Sequence, residues 1–265
     1  VPHELGKRDY KYLEAVKAQA VAARTYTYCQ MLAHSERDYD LYADVTDQVY
    51  RGCGDYNPVS DLAVRETQGM VLNNASGELI KAYYHSTCGG VTAACSEVWP
   101  YKECFDYLVS VDDKGACSNS KYYTWKYSWT INELHGIVRR HLEEVIQGSG
   151  PFGNITDVYI KEKTPEGRVA ELNVETVGKT YSIPGDRCRW VLRRKQKGDP
   201  ILLSAFFNLV KKEGNYVAEG RGYGHGVGMC QMGALGRALK GESYTKILET
   251  YYKNIRISDV SELKK

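Results

Sequence analysis

The chain has 265 residues, of which 43% are hydrophobic and 26% charged, so it can bury one large domain or two closely packed lobes. Its 35 basic and 33 acidic residues nearly cancel and are spread along the chain, which argues against nucleic acid as a partner. No run approaches the ~20 apolar residues of a membrane span. No charged-then-apolar leader begins the chain, so we expect it to be soluble and to reach a membrane only through a segment absent from it.

The first predicted element is a buried helix. Apolar residues recur at three- and four-residue spacing from Leu13 to Met31 in an alanine-rich segment, which predicts a helix over about 8–34. A polar loop with a short extended piece at 48–50 follows. The pattern then predicts one short helix over 61–67.

A hairpin is predicted next. The apolar run 69–72 and the run 79–84 are separated by an Asn- and Gly-containing turn at 73–77. This arrangement places His85 at the end of a strand.

The middle of the chain begins with an amphipathic helix. Thr130 and Glu133 have the spacing of a capping box, and apolar residues on one face continue to Gly148. Strands over 155–161 and 169–177 follow, joined by a Pro-Glu-Gly turn.

The C-terminal third adds a short helix near 186–192 and a hairpin around Gly214. A glycine-rich loop at 220–228 and two helical stretches ending near Tyr252 complete the chain. Helices and hairpins are mixed without regular alternation, which predicts an α+β fold.

Eight cysteines favour an oxidising compartment. Four of them fall in one short stretch: Cys88, Cys95, Cys104 and Cys117. We predict at least one disulfide there and a cysteine-rich insertion or sub-lobe over about 88–125, although the spacing does not determine the pairing. Cys29 and Cys230 lie in helical or tightly packed patterns that also suit buried reduced thiols.

The sharpest local motif runs from 220 to 234, where five glycines occupy every second position around His225. Glycines at this spacing let a ligand or a second segment approach the main chain closely. His225 is therefore either exposed in a groove or clamped against a neighbouring segment. A phosphate-binding loop is the weaker interpretation, because no strand precedes the motif and no Lys-Ser pair follows it.

The second motif, at 83–92, combines hydroxyls, an imidazole and a thiol before a Gly-Gly turn. Cys88 beside His85 suggests a thiol hydrolase, but the surrounding cysteines favour a disulfide for Cys88. His85, Cys88 and Cys95 offer three zinc ligands without a fourth. We therefore predict no metal and no cofactor.

Four blocks of this chain, 14–26, 48–50, 84–92 and 222–234, resemble the ordered signature blocks of the stage II sporulation protein D family. The resemblance extends from residue 1 to about 257, so we treat 1–265 as one domain of that type with a glycan-binding cleft. It implies a lytic transglycosylase that cleaves peptidoglycan between N-acetylmuramic acid and N-acetylglucosamine and leaves 1,6-anhydro ends, with peptide-stripped glycan strands as substrate. It also implies an extracytoplasmic location (the cell surface, the periplasm or the intermembrane space of the forespore), a membrane anchor in the full-length protein and a peptidoglycan amidase as partner.

The resemblance also indicates site residues. The family's acid is a glutamate directly before a hydrophobic-Pro pair, which here is Val1-Pro2, so the matching position lies immediately upstream of Val1. Glu4 is the catalytic candidate within the chain, and its alternative role is a first-turn glutamate favoured by the helix dipole. We expect the following residues to bind substrate: Arg24, Tyr26, His85, Ser86, Thr87, Tyr223, His225 and Gln231.

Two other functions compete with cleavage. A non-catalytic amidase enhancer would hold glycan or an autolysin without cutting it. A structural component of a cell-wall complex would suit the 22 tyrosines, but it leaves the polar glycine-loop motif unexplained.

Overall fold

The computed structural model describes residues 9–34, 36, 38–42, 48, 57–146 and 152–263, which form the predicted α+β fold. The α-helices of these ranges are α1 (Leu13–Ala33), α2 (Pro58–Glu66), α3 (Cys95–Val98), α4 (Ile131–Val145), α5 (Cys188–Val191), α6 (Gln231–Ala238) and α7 (Tyr244–Tyr251). Within the described ranges, none of these helices has both the length and the apolar character that a bilayer span requires.

The strands pair into four small sheets. They are β1 (Met70–Asn73), β2 (Tyr84–His85), β3 (Thr124–Thr130), β4 (Ile155–Lys163), β5 (Val169–Thr176), β6 (Lys179–Pro184), β7 (Phe207–Lys212), β8 (Asn215–Arg221), β9 (Met229–Cys230) and β10 (Arg256–Asp259). The sheet orders are β1-β10, β2-β9, β3-β8-β7 and β4-β5-β6, and β2-β9 is the parallel pair. That pair brings the two polar motifs of the sequence side by side.

The first hydrophobic core is built around α1. Ala15, Ala18 and Ala22 are fully buried, and their small side chains let other elements pack closely against this helix. α1 contacts β1, α6 and α7, so the N-terminal and C-terminal parts of the chain share this core.

A second hydrophobic core lies under α4 and the sheets β3-β8-β7 and β4-β5-β6. The predicted capping box begins α4: Thr130 Oγ1 accepts from the Glu133 N–H at 3.3 Å, and Glu133 Oε2 accepts from the Thr130 N–H at 3.0 Å. Trp129 is buried directly before this cap, and its Nε1 donates to the Arg193 carbonyl at 3.0 Å.

The predicted hairpin over 69–84 forms only at its turn, and the ladder expected between its two runs does not. β1 pairs antiparallel with β10, and the return segment meets β1 only through a bridge between Asn73 and Leu79. β1 is largely buried and takes its ladder partner from the other end of the chain, which no local pattern indicates. The other predicted hairpins, β4-β5 and β7-β8, are confirmed. Glu4 and most of the extended piece at 48–50 lie outside the described residues.

Candidate functional site

β8 directly precedes the glycine-rich loop and α6 follows it, so the expectation that no strand precedes the motif is wrong. The loop is clamped against the segment that contains β2. Gly224 has φ +108°, and a Cβ there would lie 2.8 Å from the Cβ of His85. Gly228 has φ +69°, and a Cβ there would lie 2.0 Å from the carbonyl oxygen of Tyr83. The structure thus decides between the two interpretations of the motif: a second segment, rather than open space, occupies the room that the glycines leave.

His225 links these two segments through one ring nitrogen and fixes its own loop through the other. Its Nδ1 accepts from the Val227 N–H at 3.1 Å, so the ring proton is on Nε2, which donates to the Tyr84 carbonyl at 3.0 Å. The neutral imidazole in one tautomer is therefore required for both bonds.

His85 is buried beside His225. The two ring centroids are 5.5 Å apart and the planes are steeply inclined. His85 Nδ1 lies 3.1 Å from the Val227 carbonyl, and since a carbonyl only accepts, Nδ1 carries the proton. The Nε2 lone pair has no hydrogen-bond partner among the described residues. Two of the residues that we expect to bind substrate are therefore direct neighbours.

An aromatic wall continues from this histidine pair. Trp99 lies 5.1 Å from the ring centroid of His225, Tyr83 lies 4.9 Å from Trp99, and Tyr26 lies 5.8 Å from Tyr83. We call Tyr26, Tyr83, Trp99 and His225 the aromatic wall. Tyr26 and Trp99 are buried and Tyr83 and His225 are half-buried, so the protein itself covers most of the Tyr26 and Trp99 rings.

Burial and a nearby cation keep both histidines neutral. Burial is the main cause that lowers the pKa of His225 to about 4 and the pKa of His85 well below its ordinary value. Arg168 adds to both shifts. Its buried guanidinium donates to the carbonyl oxygens of Cys88 at 3.1 Å and Val91 at 2.9 Å.

A pair of carboxyl groups lies near the same arginine. Burial, followed by the hydrogen bond and charge of Glu166, raises the pKa of Glu97 to about 7. Glu97 Oε2 is buried and has no hydrogen-bond partner in the described part of the chain. Glu97 therefore stays partly protonated near neutral pH.

An open groove of about 560 Å³ runs beside β8 and ends next to the glycine-rich loop. Trp125, Phe206 and Arg221 are among its lining residues, and the Arg221 guanidinium stacks 4.3 Å from the Phe206 ring. Aromatic and cationic groups thus line this groove, which is separate from the aromatic wall in its lining residues.

Known proteins match this chain over nearly its whole length. It is 30% identical to the stage II sporulation protein D of Bacillus amyloliquefaciens over 93% of this chain and 69% of that protein. The chain belongs to the stage II sporulation protein D family. The Stage II sporulation protein family model matches residues 1–73, and the model of a domain of unknown function, DUF8618, matches 94–228.

This chain spans less than two thirds of the length of two further relatives. The amidase enhancer of Bacillus subtilis is 31% identical over 91% of this chain, which spans 37% of that protein. An uncharacterized protein of Brachyspira hyodysenteriae is 28% identical over 100% of this chain, which spans 66% of it.

Several residues that family resemblance assigns to substrate binding are engaged in the protein interior. Arg24 Nη1 donates to the carbonyl oxygens of Thr67 at 2.7 Å and Met70 at 2.9 Å, which fixes α1 to β1. Thr87 is buried, and its hydroxyl lies 2.8 Å from that of Ser120. These contacts favour a supporting role for Arg24 and Thr87, and their contact with substrate stays a prediction.

The remaining predicted residues lie around the histidine pair. Ser86 is half-buried directly after His85, and the Tyr223 ring packs edge-on against Tyr122 at 4.7 Å. Gln231 is buried, and its Nε2 donates to Gln19 Oε1 at 3.2 Å. Tyr26 is the predicted residue that belongs to the aromatic wall together with His225.

The predicted disulfide is confirmed, but it does not include Cys88. Cys95 is bonded to Cys104, so Cys95 is unavailable as the third zinc ligand considered from the sequence. Cys88 and Cys117 are buried free thiols, as is Cys230. The fold decides which cysteines pair, because it places the Cα atoms of Cys95 and Cys104 5.5 Å apart, a separation that suits a disulfide.

Sequence reasoning missed Tyr83, Trp99, Glu97 and Arg168. Tyr83 begins the second motif, but nothing in the sequence distinguishes it from the adjacent Tyr84. The other three lie outside every signature block. Long-range packing brings Trp99 and Arg168 to the histidines, and Glu97 to Arg168.

Proposed function

We propose that this protein is a peptidoglycan lytic transglycosylase that acts on peptide-stripped glycan strands in cell-wall remodelling during sporulation or growth. The observation that carries the proposal is the pair of neutral histidines beside the aromatic wall, within a member of the stage II sporulation protein D family. Uncharged hydrogen-bonding groups next to ring faces suit a chain of N-acetylated sugars.

The reaction requires one carboxylic acid. It protonates the glycosidic oxygen, and the resulting carboxylate then accepts the proton of the C6 hydroxyl as that oxygen closes on C1. We place this acid at the N-terminal glutamate position, either directly before Val1 or at Glu4, as the family resemblance implies. The protein would act outside the cytoplasm, because its substrate lies there.

The test uses the full-length protein and purified peptide-free glycan strands, with mass spectrometry of the products. We expect fragments with 1,6-anhydro ends. Glutamine in place of the N-terminal glutamate should lower the rate roughly 10²–10⁴-fold. Reducing ends instead of anhydro ends would identify a hydrolase and refute the proposal.

Glu97→Gln is the matched control. Glu97 has a raised pKa, but its Oε2 is buried, so it is poorly placed to reach a glycosidic oxygen. The Glu97→Gln variant should retain anhydro-forming activity. Loss of cleavage in this variant alone would show that the acid is Glu97 and that our N-terminal placement is wrong.

A second function is favoured by the relative named amidase enhancer, which matches 91% of this chain. In that case the protein would bind glycan strands and stimulate a peptidoglycan amidase without cutting glycan. Sedimentation with peptide-free sacculi, absence of soluble anhydro products and faster peptide release by an added amidase would together identify this function.

A further inference from the structure

Four metal-binding side chains converge in the core beneath the candidate site. They are Cys88, Asp113, Cys117 and Cys230, and one ligand atom from each lies within 4.8 Å of the others. All four side chains are fully buried. The Sγ atoms of Cys88 and Cys117 are 3.4 Å apart.

The surrounding hydrogen bonds orient these groups as ligands. The N–H groups of Cys88 and Gly233 donate to Cys230 Sγ at 3.2 Å and 3.3 Å. Asp113 Oδ2 accepts from the Cys117 N–H at 2.8 Å, and Asp113 Oδ1 accepts a short hydrogen bond from the Tyr251 hydroxyl. Outer-shell donors of this kind fix metal ligands and stabilise their negative charge.

Buried cations accompany the cluster. Arg168 donates to the Cys88 carbonyl at 3.1 Å, and Arg237 donates to the Asp113 carbonyl at 3.4 Å. Three thiolates and one carboxylate around a divalent cation would carry a net charge of −2. The two guanidinium groups offset that charge in a region where unpaired charge is costly.

The donor set and spacing suit zinc. Thiolate sulfurs about 2.3 Å from a tetrahedral metal lie about 3.8 Å from one another, close to the Cys88–Cys117 separation. A disulfide between those two residues would leave the Cys230 thiol and the Asp113 carboxylate without their shared partner. Soft thiolate ligands select zinc over magnesium or calcium.

We propose that Cys88, Asp113, Cys117 and Cys230 bind one structural Zn²⁺ ion. The site is closed, since four protein ligands fill a tetrahedral shell. The ion would join three segments: the one after β2, the 113–117 turn and β9, which ends at Cys230. It would thereby fix the backbone that carries the histidine pair. This inference departs from the sequence-based expectation of no metal and is independent of the proposed catalytic activity.

The decisive measurement is made on the wild-type protein. After expression with Zn²⁺ and gel filtration, elemental analysis should give one zinc per chain. Zinc-edge X-ray absorption should give three sulfur ligands at about 2.3 Å and one oxygen ligand at about 2.0–2.2 Å. A different sulfur count, or zinc-free protein with a Cys88–Cys117 disulfide in non-reduced peptide maps, overturns the proposal.

Matched variants provide a second readout. Cys117→Ser should lose the thiolate-to-metal charge-transfer absorption of the Co²⁺-substituted protein. Cys188→Ser should keep it, because Cys188 is an equally buried free thiol outside the cluster. Unchanged absorption in Cys117→Ser, or loss of absorption in Cys188→Ser alone, contradicts the assignment. If Cys117→Ser fails to fold, the wild-type absorption spectrum still decides.

Discussion

Replacing His225 with alanine tests whether its ring holds the glycine-rich loop to β2. The substitution leaves the Val227 N–H without its acceptor and the Tyr84 carbonyl without its donor. Each such loss costs about 1–3 kcal/mol, and the lost ring contacts with Trp99 and His85 add about 0.5–1.5 kcal/mol. We expect the free energy of unfolding to fall by about 3–5 kcal/mol.

The assay is denaturant unfolding at pH 7, followed by tryptophan fluorescence. His135→Ala is the control, because its ring makes one 3.4 Å hydrogen-bond contact with the Tyr216 hydroxyl beside a tilted packing on the Tyr216 ring, and its loss should cost about 1 kcal/mol. His225→Asn retains an acceptor near the Nδ1 position and His225→Gln retains a donor near Nε2, so both should lie between alanine and wild type. If His225→Ala is no more destabilising than His135→Ala, the His225 ring does not hold the glycine-rich loop to β2.

The same bonds predict an acid dependence. The pKa of His225 is lowered from 6.5 to about 4, so the unfolded chain binds the proton first as the pH falls. The stabilisation is complete above pH 6.5 and is lost as the pH falls toward 4. Unfolding free energies measured across this window should fall less steeply for His225→Ala than for wild type, and parallel slopes would contradict the assignment.

Three further predictions concern the surroundings of the site. Gly224→Ala should cost about 2–4 kcal/mol, because its Cβ would meet another side chain at 2.8 Å. Gly178→Ala, with a similar positive φ and nothing within 4 Å, should cost only about 1 kcal/mol, and equal losses in denaturant unfolding would contradict this reasoning. Glu97→Gln should flatten a loss of stability that wild type shows as the pH rises from 4.5 to about 7, because the folded state retains the proton longer; an unchanged slope would refute it. Replacing Cys95 and Cys104 together with serine should cost about 2–3 kcal/mol for a nine-residue separation, and wild type treated with reductant should match the double variant.

Local sequence signals were enough to predict most of the individual helices and hairpins. The capping box at Thr130 and Glu133, the alanine-rich periodicity of α1 and the turn residues of the β4-β5 and β7-β8 hairpins act within a few residues of one another. Such signals need no distant partner to be interpreted. The alternating glycines likewise predicted a close approach to the backbone.

Tertiary structure decided which segments meet. β1 takes its partner from β10, Trp99 reaches His225 from a separate loop, and three cysteines far apart in the chain share one buried position with Asp113. Each outcome depends on how complete faces pack rather than on local propensity. The glycines around His225 are visible in the sequence as a pattern. Only the packing of the β2 segment against them shows that the protein itself occupies the space they leave.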